Sequence, residues 1–233
     1  MDTADRLEEF ISGPRFATYV TACSGDRDRA VKLYYWTGDV GGALLVDFRH
    51  LEVILRNHIH NTLTKHTNEY HTITGEWYED ERWVKHHWWN TAAQRELDFA
   101  VSKAGGPAAS ADRVIAELPF GFWRYVLSAR YEQSFWRSAL DTSFVNIPGK
   151  TWKERRFTIE REVLVLHQLR NRLAHHQPIF KPHMRRGANN TKIEVPLERQ
   201  HDGLLHVLSW IDPKLPTLVM ADSTVKTLLA QRP

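Results

Sequence analysis

The chain has 233 residues, 42% hydrophobic and 25% charged, a balance that suits a globular core and excludes collagen-like, coiled-coil and disordered classes. Its single cysteine, Cys23, excludes an intramolecular disulfide and a thiolate zinc site, and fits a reducing compartment. Net charge is only +3, yet Lys150 to Arg199 holds twelve Lys and Arg against five Asp and Glu, so about +7 sits in one segment and about −4 in the rest.

Met1 to Phe10 carries Asp2, Asp5, Glu8 and Glu9 in place of the basic flank and apolar stretch of a secretory signal. No apolar run nears the roughly 18 residues of a membrane span, so a cytoplasmic protein without membrane contact is expected. The length suits a single domain with its core at about 28–212, helices within 3–22 and a C-terminal helix over 223–230 being appendages.

Apolar residues recur at helical spacing through most of the chain, which predicts an all-α fold. A first helix is expected over Ala4 to Ile11, stopped by Ser12-Gly13-Pro14, and a second through Phe16, Tyr19 and Val20 with Pro14 in its first turn. Asp26 is a candidate N-cap for a helix through Ala30, Leu33, Tyr34 and Trp36, after which Gly38, Gly41 and Gly42 punctuate the chain. Leu44, Phe48, Leu51, Leu55, Ile59 and Leu63 form one stripe, predicting a long helix from Ala43 to Thr64 with Glu52 and Arg56 one turn apart beside it.

The Trp- and His-rich span from His66 to Trp89 has no clear period and reads as a connection. Helices are expected over Asn90 to Lys103, Asp112 to Glu117 and Phe122 to Ala139, the last opened by the Leu118-Pro119-Phe120-Gly121-Phe122-Trp123 turn. A second long helix should cover Trp152 to His176 and stop before Pro178. Lys181 to Lys192 reads as a basic loop broken at Gly187, and Leu197 to Ile211 and Ser223 to Leu229 close the chain.

The informative segment runs His167-Gln168-Leu169-Arg170-Asn171-Arg172-Leu173-Ala174-His175-His176-Gln177-Pro178. The stripe 159, 163, 166, 170, 173 puts Arg170 where an aliphatic residue is expected. An unpaired buried charge is costly, so Arg170 must pair with a carboxylate, Glu52 or Glu162, or face a cavity that admits an anion. His175 falls in the last turn, where the helix dipole favours a cationic imidazole. On an ideal helix the two side chains lie about 140° apart, so the long Arg must swing for both to serve one phosphate. Asn171, four residues before His175, shares its face and is placed to orient the imidazole or hold a substrate.

Arg170, Asn171 and His175 match an Arg-polar-x3-His pattern, and the string from Leu169 to Pro178, with Leu55-Arg56-Asn57 and Phe120-Gly121-Phe122-Trp123, resembles the Abi-like abortive-infection proteins of the HEPN ribonuclease superfamily over residues 28 to 212. That resemblance implies a helical bundle that dimerises so that two motifs share a composite site. It implies metal-independent endoribonuclease activity, with 2′,3′-cyclic phosphate and 5′-hydroxyl ends. In this picture Arg170 and His175 are catalytic, Asn171, His176, Glu52, Arg56 and Asn57 support them, and Arg172, Lys181, His183, Arg185, Arg186 and Lys192 bind RNA. The role implied is that of a toxin or phage-defence effector, restrained by an RNA or protein antitoxin or by a trigger. The alternative is a non-catalytic HEPN protein that holds a structured RNA or a partner protein, and a third possibility is one half of a pair with a nucleotidyltransferase.

Thirteen histidines invite a metal, but no His-Glu-x-x-His occurs, and pairs such as His86-His87 or His175-His176 cannot both face one ion from a helix, so no metal or other cofactor is expected. Trp83, Trp88 and Trp89 offer rings for base stacking, although core packing is the expected use.

Overall fold

The computed structural model describes residues 2–70, 75–80, 91–186 and 192–233, and the fold is predominantly helical with one two-stranded antiparallel hairpin. Helix α1 spans Thr3–Ile11, opened by a reciprocal cap between Asp2 and Asp5. Helix α2 spans Gly13–Ala22, with Pro14 in its first turn as expected.

The first departure from expectation is α3, one helix over Arg27–Tyr70 that runs through Gly38, Gly41 and Gly42 without a break. Its 44 residues reach roughly 66 Å. Each glycine costs about 1 kcal/mol relative to alanine in a helix, but buried side chains on both sides outweigh that local loss. Leu33, Trp36 and Val40 continue the stripe of Leu44, Phe48, Leu51, Leu55, Ile59 and Leu63, and all are buried. Gly41 lies under two apolar side chains, since a Cβ there would stand 3.5 Å from Leu173 and 3.9 Å from Ile179.

Beyond Tyr70 a single 3-10 turn at Trp77–Glu79 sends Trp77 into the core, where its indole donates to His60 Nδ1 at 3.1 Å. Trp83, His86, His87, Trp88, Trp89 and Gly187 lie outside the described residues. Helices α4 (Thr91–Ala104) and α5 (Ala111–Glu117) follow.

The single helix expected over Phe122 to Ala139 is instead three pieces: α6 at Phe120–Val126, a 3-10 turn at Ala129–Tyr131, and a π-helical segment at Glu132–Leu140. Tyr131, Phe135 and Trp136 are all fully buried there, and a wider turn seats bulky rings that α spacing would spread around the helix. Tyr131 and Phe135 stack with ring centroids 5.3 Å apart.

Helix α7, Trp152–Ala174, begins with a capping box in which Thr151 and Glu154 each bond the other's backbone N–H. It stops two residues earlier than expected. His176 N–H bonds Leu173 O at 3.0 Å and Gln177 N–H bonds Arg172 O at 2.8 Å, the two closures of a Schellman motif, with His176 left-handed at φ 52°.

The expected basic loop carries a hairpin at its flanks, β1 (His183–Arg186) pairing with β2 (Lys192–Val195). Pairing satisfies the backbone groups of a segment with too few apolar residues to bury itself. Helices α8 (Leu197–Ile211), α9 (Leu215–Met220) and α10 (Val225–Ala230) complete the chain, α9 being unanticipated.

Helix α3 is the central pillar, touched by α2, α6, α7, α8 and α10. Trp36 donates its indole N–H to Leu228 O at 2.7 Å, fastening α10 to the pillar. Buried Asp47 meets His201 of α8 at 2.8 Å and accepts from Ser223 at 2.7 Å. Among the described residues the buried hydrophobic side chains other than Val165 and Val195 form one cluster, and no described helix is long and apolar enough to cross a membrane.

Candidate active site

The end of α7 is where the polar residues singled out by sequence meet the rest of the fold. Leu166, Leu169 and Leu173 take the buried positions of that helix, so Arg170 flanks the apolar stripe and does not occupy it. Its side chain is 39% exposed. Arg170 Nε donates to Glu52 Oε1 of α3 at 2.9 Å, which selects Glu52 over Glu162 as the partner; Glu162 pairs with Arg199 at 3.0 Å. The terminal guanidinium nitrogens of Arg170 make no hydrogen bond among the described residues. A fixed stem with an open fork suits bidentate capture of an oxyanion.

Glu52 turns to Arg170 and not to Arg56 one turn on, and Arg56 Nε donates to Asn57 Oδ1 at 3.3 Å. Both residues are half-buried on α3.

His175 is the C-cap of α7, and its exposed imidazole makes no side-chain hydrogen bond among the described residues. With ψ near 11° the chain leaves helical geometry after this residue, whose own N–H still bonds Asn171 O at 3.0 Å as in the helix. Asn171 does not orient it. The Asn171 amide instead lies 3.4 Å from His167 Nε2, one turn back.

His167 is the neighbour that pattern reading missed. It packs against Phe120, ring centroids 5.9 Å apart, and a Cβ on Gly121 would come within 3.2 Å of its Nε2. Burial, then Arg124, then Arg170 push its pKa below the usual imidazole value, so the ring is neutral at pH 7. Arg124 Nε is itself buried without a hydrogen-bond partner among the described residues. Nothing local in the sequence marks these contacts, because Phe120 to Arg124 and His167 are brought together only by packing of α6 on α7.

Past the helix, two arginines hold the chain by its carbonyls. Arg172 donates to Pro178 O at 2.6 Å and to Lys181 O at 2.9 Å, and Arg15 of α2 donates to His176 O at 2.5 Å. Arg172 was expected at RNA; its guanidinium is half-buried and engaged with the loop, and burial lowers its pKa from the ordinary arginine value. Lys181 and Lys192 are exposed, His183 is half-buried, and Arg185 and Arg186 lie on β1 opposite Ile193 and Lys192. His176 is exposed, its backbone closing the helix.

Among the described residues no three His, Cys, Asp or Glu side chains gather in a way that would hold a metal ion. Fold and geometry together define a predominantly helical protein with a half-open arginine and, among the described residues, an unpartnered histidine at one helix end. Comparison of the chain with protein-family models, curated proteins and solved structures finds no match in any of the three.

Proposed function

We propose that this protein is a metal-independent endoribonuclease of the HEPN type, acting as a toxin or abortive-infection effector. One observation carries the reading: among the described residues Arg170 is anchored through Nε alone and presents its open fork five residues before an exposed His175 that makes no side-chain hydrogen bond. RNA brings its own nucleophile, so a protein need supply only a proton-transfer group and a cation for the phosphate. His175 takes the 2′-hydroxyl proton or returns one to the departing 5′-oxygen, and a second protomer's copy of the motif serves the complementary step in a composite dimer site. Arg170 takes two non-bridging oxygens as charge develops on phosphorus. Glu52 holds the guanidinium in place, while neutral His167 adds no competing charge beside it. The exposed Lys181 and Lys192 extend a basic track along which RNA lies.

Cleavage of a defined RNA in EDTA, with end-group analysis, tests this. Cyclic phosphate and 5′-hydroxyl ends are expected, and the all-deoxy strand stays intact. Arg170→Ala and His175→Ala should each lower cleavage on the order of 10²- to 10⁴-fold and relieve growth arrest. Salt-dependent RNA binding without any cutting would replace the enzyme by a non-catalytic RNA-binding protein.

A further inference from the structure

Next to the end of α7, a groove of about 760 Å³ opens along α2 and the first half of α3. Gly38 and Gly42 keep one wall open, since the position of a Cβ on either has nothing within 4 Å. Tyr34 and Tyr35 supply aromatic walls, their rings edge to face at 5.7 Å, and Tyr35 is 55% exposed. His176 lines the groove, which therefore begins one residue past His175. Of the two charged residues lining it, Arg15 is committed to His176 O. The other, Asp39, is exposed and has no hydrogen bond or ion pair among the described residues.

A free carboxylate beside tyrosines repels phosphate and favours a flat ligand with N–H donors. A strand that delivers a phosphate to Arg170 must place a neighbouring base nearby, and unstacked bases are read on their Watson–Crick edges over aromatic faces. Guanine alone presents two adjacent donors there, N1–H and the N2 amine, which one carboxylate accepts together. Adenine and cytosine put an acceptor beside their amine, and uracil has one N–H between two carbonyls.

We infer that this groove holds a guanine of the RNA strand beside the scissile linkage, read by Asp39 and stacked on Tyr35. The inference rests on the ribonuclease reading for its substrate, but its test does not need cleavage. Fluorescence anisotropy on the full chain, with 2′-O-methyl oligouridylates carrying one central guanine, inosine or adenine, measures binding without cutting. The guanine strand should bind on the order of ten- to a hundredfold more tightly than the adenine strand, with inosine, which lacks the N2 amine, between them. Asp39→Asn should bring the three within about twofold. Tyr35→Ala should weaken all three while keeping their order, with unchanged circular dichroism.

Equal affinities in the wild type, or a guanine preference that survives Asp39→Asn, would overturn the groove's role even where RNA is cut. A preference lost in Asp39→Asn, with no cleavage of any RNA, keeps the groove and removes the nuclease. Guanosine monophosphate binding as tightly as the strand would overturn the strand as its source. Conversion of a dimer to monomers by either variant in sedimentation would overturn it in favour of a second copy seated there.

Discussion

The two ends of α7 each carry an arginine paired with glutamate, and they use it differently. Near the start, Arg156 is 7% exposed, lies 3.3 Å from Glu132 through Nε, and bonds Glu160 one turn on. Near the end, Arg170 has one carboxylate, Glu52, and keeps 39% of its side chain exposed. Two acids beside a buried cation neutralise it away from solvent, whereas one acid on Nε leaves Arg170 an open fork. The flanking contacts follow the same division. Arg155 grips Asp141 with two bonds, of 2.8 and 2.5 Å, and locks the segment before the helix, while His175 at the far end has no side-chain bond among the described residues.

That contrast predicts opposite phenotypes. Arg170→Ala should show the largest effect, a loss of cleavage on the order of 10²- to 10⁴-fold, yet change stability by less than about 1 kcal/mol, because a half-exposed pair is worth little. Chemical denaturation of the purified variant measures the second half, and a loss of several kcal/mol would erase the distinction between the two ends. Arg156→Ala should do the reverse. It leaves Glu132 and Glu160 without their cation and should cost about 3–5 kcal/mol.

A smaller effect comes from His58, packed on Phe144 at 4.6 Å between ring centroids and 3.1 Å from Ser143 Oγ, in the region leading to the start of α7. Burial pushes its pKa down to about 4. Between pH 6.5 and 4 the unfolded chain binds a proton at this site that the folded chain does not, so this contribution to stability, on the order of 3 kcal/mol, is present above 6.5 and lost as pH falls to about 4. Replacing His58 with Phe should flatten the pH dependence of the unfolding midpoint in that window, and an unaltered slope would contradict it. The smallest effect is expected at the closure of α7. His176 holds φ 52°, so His176→Gly should raise thermal stability by up to about 1 kcal/mol.

Much of the fold was readable from one dimension. The stripe from Leu44 to Leu63 lies in the core as its spacing implies, and both edges of α8 fall where the pattern placed them. The failures are instructive. Three glycines in α3 read as a break, because propensity is local, and the continuous buried face that overrides it belongs to the assembled core. At the site, Arg170 and His175 stood out by type and spacing. Their surroundings did not, since Arg172's engagement with the loop and His167's place against Phe120 depend on contacts across elements.

Taken alone, the order of residues determined the helical class, the long apolar faces and the presence of an arginine and a histidine close together late in the chain, because periodicity and side-chain chemistry are local properties. Tertiary structure alone decided which carboxylate Arg170 meets, that its fork stays open, and that His175 is left exposed. Pairing and exposure depend on which helices cross, and crossings are set by the packing of the whole core.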